Sequence, residues 1–372
     1  MNNFGIDHQS TFTAIALREE SASAVARTVG DGRQLLIPNV VADGGAWGSD
    51  AATRVGCRGL DASDADRDRF WRGVTARLSS YIGRLAPNRE NGYRVIASIA
   101  SDLNTEAVAL RARSAGLVDL ELIAPNVALR TRWLTAASAA SDERRIVVAV
   151  ACGDRCVDVE AFVVDGRHVA DRSGGATLTR TGHAYWSERL VAQLRDRLIE
   201  TPTTPLEWNP AVQLSIRRAA QRLVRERGSF DWDGGLARAT FAPVHVSLDG
   251  CRRWPETMYL AVGLAPAIED ELEKLSAAKA DLILVGGIGA VWPFAADAAN
   301  SIAPTWSSAD PESDFAIGAA FWPEPARSAA FATSSVRLPI ECAPAEETRR
   351  DSSPRPPWLH NAESDEREQD ET

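Results

Sequence analysis

An apolar strand, a polar turn and a second apolar strand open this chain at FGIDHQSTFTAIAL, residues 4–17, and return as VVAVACGDRCVDVEAFVV at residues 147–164. A third strand follows each copy, SASAVART after the first and, past an Asp-Gly turn, RHVADRSG after the second. A pattern that recurs at the head of each half is the mark of a duplicated fold. It predicts an α/β chain of two like lobes, each begun by an antiparallel meander. Length agrees, because 372 residues exceed one comfortable core and suit two lobes of about 100–200 residues each with a cleft between.

The expected boundaries are an N-terminal lobe over 1–140, a C-terminal lobe over 141–337 carrying a helical and β insertion at about 200–280, and a tail over 338–372. SDERR (141–145) serves as the linker. The tail, rich in Pro, Ser, Glu and Asp with few core residues, reads as disordered and acidic. In the first lobe, GSDAATRVG and DADRDRFWRGVTARLSSYIGRL have helical spacing, the second with Phe70, Val74, Leu78, Ile82 and Leu85 on one stripe. YRVIASIAS, NTEAVALRARSAGL and VDLELIAP then read strand, helix, strand, a parallel crossover whose helix Asn104 can cap and Gly116 can stop. In the second lobe, DLILVGGIGAVWPF gives a buried strand, a Gly-Gly turn and a helix start.

Charge and composition exclude several classes of function. With 41 basic against 51 acidic residues, a net charge of −10 and no long Lys/Arg run, nucleic acid is not the expected partner. No apolar stretch reaches the ~18 residues of a membrane span and the N-terminus lacks a signal-peptide layout, so no membrane partner and a cytoplasmic location are expected. The five cysteines are scattered and odd in number, as reduced thiols are. The only lysines are Lys274 and Lys279, so no mechanism can use a lysine in the first lobe.

Two stretches have the chemistry of a ligand site. In DHQST, a strand ends on Asp7 and runs into Ser10 and Thr11. An Asp there can hold a magnesium ion and hydroxyls with turn N–H groups can hold phosphate; a plain polar hairpin turn accounts for the same residues. In ILVGGIGA, Gly286 and Gly287 follow a buried strand, which either lets a ligand lie against backbone before a helix N-terminus or lets a helix pack closely on the strand. Trp292, beside this turn, is an aromatic that could stack on a base, whereas Trp71, Trp186 and Trp322 are read as core. His183 and Tyr185, at a helix start, could line the cleft but are read first as surface or capping residues.

Taken in order, FGIDHQST, GDGRQLLIPNVV, WGSDAA, LILVGGIG and DPESDFAIGAA resemble the nucleotide-binding domain of the DnaK-type heat-shock 70 chaperones, members of the actin-like ATPase superfamily, over roughly residues 4–322. The resemblance implies a duplicated actin-like ATPase fold, two lobes around a nucleotide cleft, with ATP and Mg2+ between them. It implies Asp7 and Thr11 as catalytic residues, Asp7 as the metal ligand, and Ser10, Thr11, Gly153, Thr177, Gln221, Arg225, Gly286, Gly287 and Trp292 as cofactor contacts.

The chemistry departs from the family. His8 and Gln9 follow Asp7 where glycine and hydroxyls are usual, and in ACGDRCVD Ala151 stands at the place of an Asp, with Asp154 and Arg155 at glycine positions. The family's first-lobe lysine cannot exist, Ala124, Pro125 and Asn126 replace its acidic segment before the linker helix, and Ala176 precedes Thr177 where an Asp is usual. Phosphoryl transfer depends on positioning and cationic charge, so the reading is an ATP-binding protein with weak or lost hydrolysis. With only the tail after residue 338, no peptide-binding domain is expected, and the expected action is lobe closure on an unidentified protein partner. The alternatives are a pseudo-ATPase scaffold that binds no nucleotide and an actin-like filament former.

Overall fold

The computed structural model describes residues 2–18, 26–31, 35–54, 56–60, 62–85, 93–136, 143–166, 168–197, 210–226, 228–233 and 242–322. The expected tail at 338–372 lies outside them. The first sheet is built from β1 (Asn2–His8), β2 (Phe12–Arg18), β3 (Ala26–Thr28), β4 (Leu36–Pro38), β7 (Tyr93–Ile99) and β8 (Leu120–Ile123), while β5 (Val40–Val41) and β6 (Arg58–Gly59) pair beside it. Its helices are α1 (Gly48–Ala51), α2 (Asp64–Leu85), α3 (Thr105–Ser114) and α4 (Pro125–Ala136). Asn104 accepts from Ala107 N at the head of α3, and Gly116, at φ +111°, follows its end, as the sequence suggested.

The second sheet holds β9 (Arg144–Cys152), β10 (Cys156–Asp165), β11 (His168–Arg172), β12 (Ala176–Thr179), β15 (Leu282–Gly286) and β16 (Thr305–Trp306), with a separate hairpin of β13 (Ser229–Trp232) and β14 (Val244–Ser247). The helices here are α5 (His183–Arg195), α6 (Pro210–Glu226), α7 (Leu248–Arg252), α8 (Pro255–Lys274), α9 (Phe294–Asn300) and α10 (Asp314–Ala320). Arg144 and Arg145, expected in the linker, already belong to β9, because Val164 and Asp165 at the end of β10 extend the ladder onto them. GSDAATRVG forms a single short turn of helix, α1, rather than a longer one.

The two sheets have one strand order. The first runs β3-β2-β1-β7-β8 with β4 paired to β2, and the second runs β11-β10-β9-β15-β16 with β12 paired to β10. Sense repeats too: β1 is antiparallel to β2 and parallel to β7, as β9 is antiparallel to β10 and parallel to β15. The fold is thus mixed α/β with two sheets of matching topology, the repetition that the two meanders announced.

Both sheets are covered on both faces, which is why strands such as β9 read as unbroken apolar runs. Along β9, Val148, Val150 and Cys152 join the core under α5, α8 and α9, while Val147, Ala149 and Ala151 alternate to the other face. The outer face of the first sheet packs Phe4, Ile6, Ile15 and Leu17 against Phe70, Trp71, Val74 and Leu78 of α2; Ile82 is partly buried there and the Leu85 side chain lies outside the description.

Between the sheets lie α4 and α10. α10 packs on β1, β2 and β7, α4 packs on β9, β10 and β15, and the two helices pack on each other. Their approach is close enough to require glycine: a Cβ on Gly5 of β1 would overlap Ala316 O of α10, and one on Gly318 of α10 would overlap Ala128 O of α4. The described residues form one compact unit, whose central layer belongs to both lobes.

Candidate functional site

The β1–β2 and β9–β10 turns, one from each lobe, meet directly. β1 delivers Asp7 and His8 to the base of the first turn, and the register His8↔Thr13 leaves four residues, 9–12, to turn the chain. Gln9 N donates to Phe12 O at 2.9 Å, closing that turn. In the second, Gly153 N donates to Cys156 O at 2.9 Å, and Asp154 and Arg155 form the tip.

Gln9 is the central piece. Its Nε2 donates to Asp7 Oδ1 at 2.6 Å, its Oε1 accepts from Asp154 N at 3.2 Å, and its backbone O accepts from Asn39 Nδ2 at 2.6 Å. Asn39 Oδ1 in turn accepts from Thr13 Oγ1 at 2.7 Å. With its proton so used, Thr13 Oγ1 accepts from His8 Nδ1 at 2.8 Å, which fixes that imidazole as the Nδ1–H tautomer. The side chains of His8 and Gln9 thus fill and brace the turn where glycine would leave room.

The reciprocal bond crosses from the second lobe. Asp154 Oδ2 accepts from Thr11 N at 2.7 Å, and Thr11 Oγ1 is buried with no hydrogen-bond partner, as is Asp154 Oδ1. The Thr11 hydroxyl lies near enough to help hold the carboxylate charge without forming a bond of good geometry. α5 holds this turn from behind: His183 N donates to Gly153 O at 3.2 Å and Ala184 N to Asp154 O at 2.8 Å. Gly182, at φ +118°, has no room for a side chain, since a Cβ there would stand 2.7 Å from Asp154 O.

A second polar bridge lies alongside. Asp158 of β10 accepts from Ser101 Oγ of the first lobe at 2.5 Å and from Thr177 Oγ1 of β12 at 2.6 Å, and Ser10 Oγ donates to Asp102 Oδ2 at 2.7 Å. Burial dominates the electrostatics of the site. It pushes the Asp7 carboxyl up to about 7, against the Gln9 hydrogen bond and aided by the Asp154 charge. Burial likewise pushes Asp154 up to about 6, against the hydrogen bond from Thr11 N and the nearby Thr11 hydroxyl, and raises Asp158. His8 is driven down to about 4 and His183 to about 3, both chiefly by burial, so both imidazoles are neutral at pH 7.

Asp7, Ser10, Thr11, Gly153 and Thr177 therefore come together where the lobes meet. Gln221 is exposed on α6 and has no hydrogen bond to this group; Arg225 belongs to α6, but its side chain lies outside the description. Gly286 and Gly287 answer to packing: a Cβ on Gly286 would stand 2.6 Å from Asp314 Oδ2, and one on Gly287, at φ +94°, would stand 2.5 Å from Cys152 O. Gly287 N already donates to Pro311 O.

Trp292 is 0% exposed, stacked on Phe294 with ring centroids 5.7 Å apart and packed among Trp186 and Trp254. It has no open face for a base. Its Nε1 donates to His183 Nδ1 at 3.2 Å, which places His183 in the core rather than at the surface; Trp71 and Trp186 are core as expected, while Trp322 is half-buried and donates to Glu121. Gln9 and Asp154 were visible in sequence only as departures from a phosphate-loop pattern, and their joining was not.

A phosphate and magnesium at these turns would need donors and a carboxylate that the chain already engages. Thr11 N, Asp154 N, His183 N and Ala184 N all donate within the protein, Asp7 holds Gln9, and a Cβ at Gly153 would stand 3.0 Å from Gln9 Oε1. Among the described residues no group of three or more His, Cys, Asp or Glu side chains is placed to hold a metal ion, and no helix is long and apolar enough to cross a membrane. The residues in this arrangement do not fit a nucleotide phosphate. Comparison with protein-family models finds no match, and comparison with curated proteins finds none.

Proposed function

We propose that this chain is a pseudo-ATPase scaffold: a duplicated actin-like fold, similar to the nucleotide-binding domain of the heat-shock 70 chaperones, whose closed lobes present a fixed surface to a protein partner and do not hydrolyse ATP. The observation that carries this reading is the Gln9–Asp154–Thr11 junction, in which the two turns that would grip phosphate grip each other. The matching strand order of the two sheets supports the duplicated fold. The missing first-lobe lysine and the Ala at 151 and 176 support the loss of hydrolysis, since phosphoryl transfer is carried by cations and positioning.

A ligand at about 100 times its Kd adds about 2.7 kcal/mol of stability, so thermal unfolding with and without ~1 mM ATP and excess Mg2+ tests the reading. The expected result is an unchanged Tm and no phosphate release in a single-turnover assay. A rise of several degrees overturns it in favour of a nucleotide-binding protein that works by lobe closure. That second reading draws on one feature, the retention of Asp7, Ser10 and Thr11 together at the lobe junction. Sedimentation of the same samples addresses filament formation.

A further inference from the structure

We infer that the Asp154 carboxylate is a built-in anion: it occupies an anion-binding position at the first turn and so holds the lobes closed in the role a bound phosphoryl group would otherwise play. The inference rests on the scaffold reading and deepens it by naming what fills the phosphate position. A turn with inward N–H groups and hydroxyls binds anions through its main-chain dipoles, and the bond from Thr11 N to Asp154 Oδ2, at 2.7 Å, is what such a turn makes with an external anion. Here the anion comes from a residue 143 positions away, in the β9–β10 turn of the other lobe.

Burial makes the carboxylate depend on its donors: it pushes Asp154 up to about 6, and Thr11 opposes that rise. Asp154 is 0% exposed and forms no ion pair among the described residues; Arg155 beside it attenuates its charge only from an exposed position. A buried carboxylate without a counter-ion is destabilising unless donors replace its water. The donors at hand are Thr11 N–H and the nearby, otherwise unpartnered Thr11 hydroxyl, both from the opposite lobe. The remainder of the junction aims that carboxylate. Gln9 Oε1 holds Asp154 N, and α5 holds the carbonyls of Gly153 and Asp154, so the main chain of residue 154 is fixed from both sides.

Truncating the side chain should then leave an anion site of known shape. Asp154→Ala removes the carboxylate and keeps Thr11 N–H, the Thr11 hydroxyl and Gln9 in place. The probes are formate, which matches the lost group in size, and inorganic phosphate, each against chloride at equal ionic strength. Thermal unfolding of Asp154→Ala should show a saturable upward shift in Tm with formate, and with phosphate if the pocket admits a tetrahedral anion, while the wild type and Asp154→Asn, whose Oδ still accepts from Thr11 N, show none.

If formate and phosphate raise the Tm of Asp154→Ala no more than chloride does, the inference is overturned. Should that variant fail to fold, Asp154→Ser supports the same measurement with a side chain that keeps one polar partner. The scaffold reading fails separately, on stabilisation of the wild type by ATP and Mg2+.

Discussion

The two turns at the lobe junction occupy the same place in two sheets of the same topology, yet their side chains are complementary rather than alike. The first offers a neutral amide, a hydroxyl and a main-chain donor in Gln9 and Thr11, with its one acidic group, Asp7, set back at the strand end. The second puts a carboxylate, Asp154, at its tip and is braced by the start of a helix, whereas the first is braced by Asn39 from its own lobe. Duplicated backbones have thus diverged as two sides of an interface do. Identity of topology fixed where the tips meet; difference of side chain decides that they bind each other.

The strongest way to break this comparison is at the layer beneath the tips. Gly5 in β1 and Ala149 in β9 stand two residues before Asp7 and Ala151, but a Cβ on Gly5 would overlap a backbone carbonyl, whereas Ala149 already carries its Cβ. Gly5→Ala should therefore destabilise by about 3 kcal/mol or more in denaturant unfolding, while Ala149→Gly should cost about 1 kcal/mol or less. A Gly5→Ala loss no larger than that of Ala149→Gly would mean that α10 moves aside to admit a methyl and that its close approach to β1 is not required.

Next in size is Gln9→Ala. It strips the donor from the buried Asp7 carboxyl and the acceptor from Asp154 N, for a loss of about 3 kcal/mol, and it should raise hydrogen exchange at Asp154 N and at Thr11 N together. Asp154→Asn keeps the acceptor for Thr11 N and should lose about 1 kcal/mol or less. A Gln9→Ala loss no greater than that of Asp154→Asn would remove Gln9 from the centre of the junction.

pH separates the charged from the neutral side. Asp7 and Asp154 bind protons more tightly folded than unfolded, so their contribution is present at low pH and is lost as pH rises from about 4 to about 7. Asp314, raised to about 7 by burial, adds to the same trend. His8 and His183, lowered to about 4 and 3, act oppositely: their contribution is present above about 6.5 and lost as pH falls through their folded values. The two trends oppose each other between about 4 and 6.5, above which only the carboxylates still titrate. Urea unfolding should show stability falling by about 1–2 kcal/mol from pH 6 to 8, with the slope reduced in Asp7→Asn. The smallest effect is at the rim, where Ser10→Ala, losing only the exposed bond to Asp102, should stay within about 0.5 kcal/mol.

Much of the fold was legible because local signals agreed with it: the two meanders, the capped helix at Asn104, and the apolar run of Leu282–Val285 ending at paired glycines. The site was legible in position and not in content. Asp7, Ser10, Thr11 and Gly153 do converge, but the sequence could not show that Gln9 reaches Asp154 across 145 positions, because no local propensity encodes a side-chain bond between separate sheets. The glycines at 286 and 287 carry one signal for two physical causes, ligand approach and close packing; only the positions of Asp314 and Cys152 distinguish them. Trp292 misled for a similar reason, since an aromatic beside a turn does not disclose which side of the sheet it enters.

The seating of α10 also bears on how the chain is made. Residue 5 lies against residue 316, so one face of β1 stays uncovered until the last described helix has been synthesised. At ribosomal rates of about 5–20 residues per second, that interval lasts from about 15 seconds to a minute. The first lobe must therefore pass through translation with its inner face open, and the step that completes it is the arrival of a short helix more than 300 residues further along the chain.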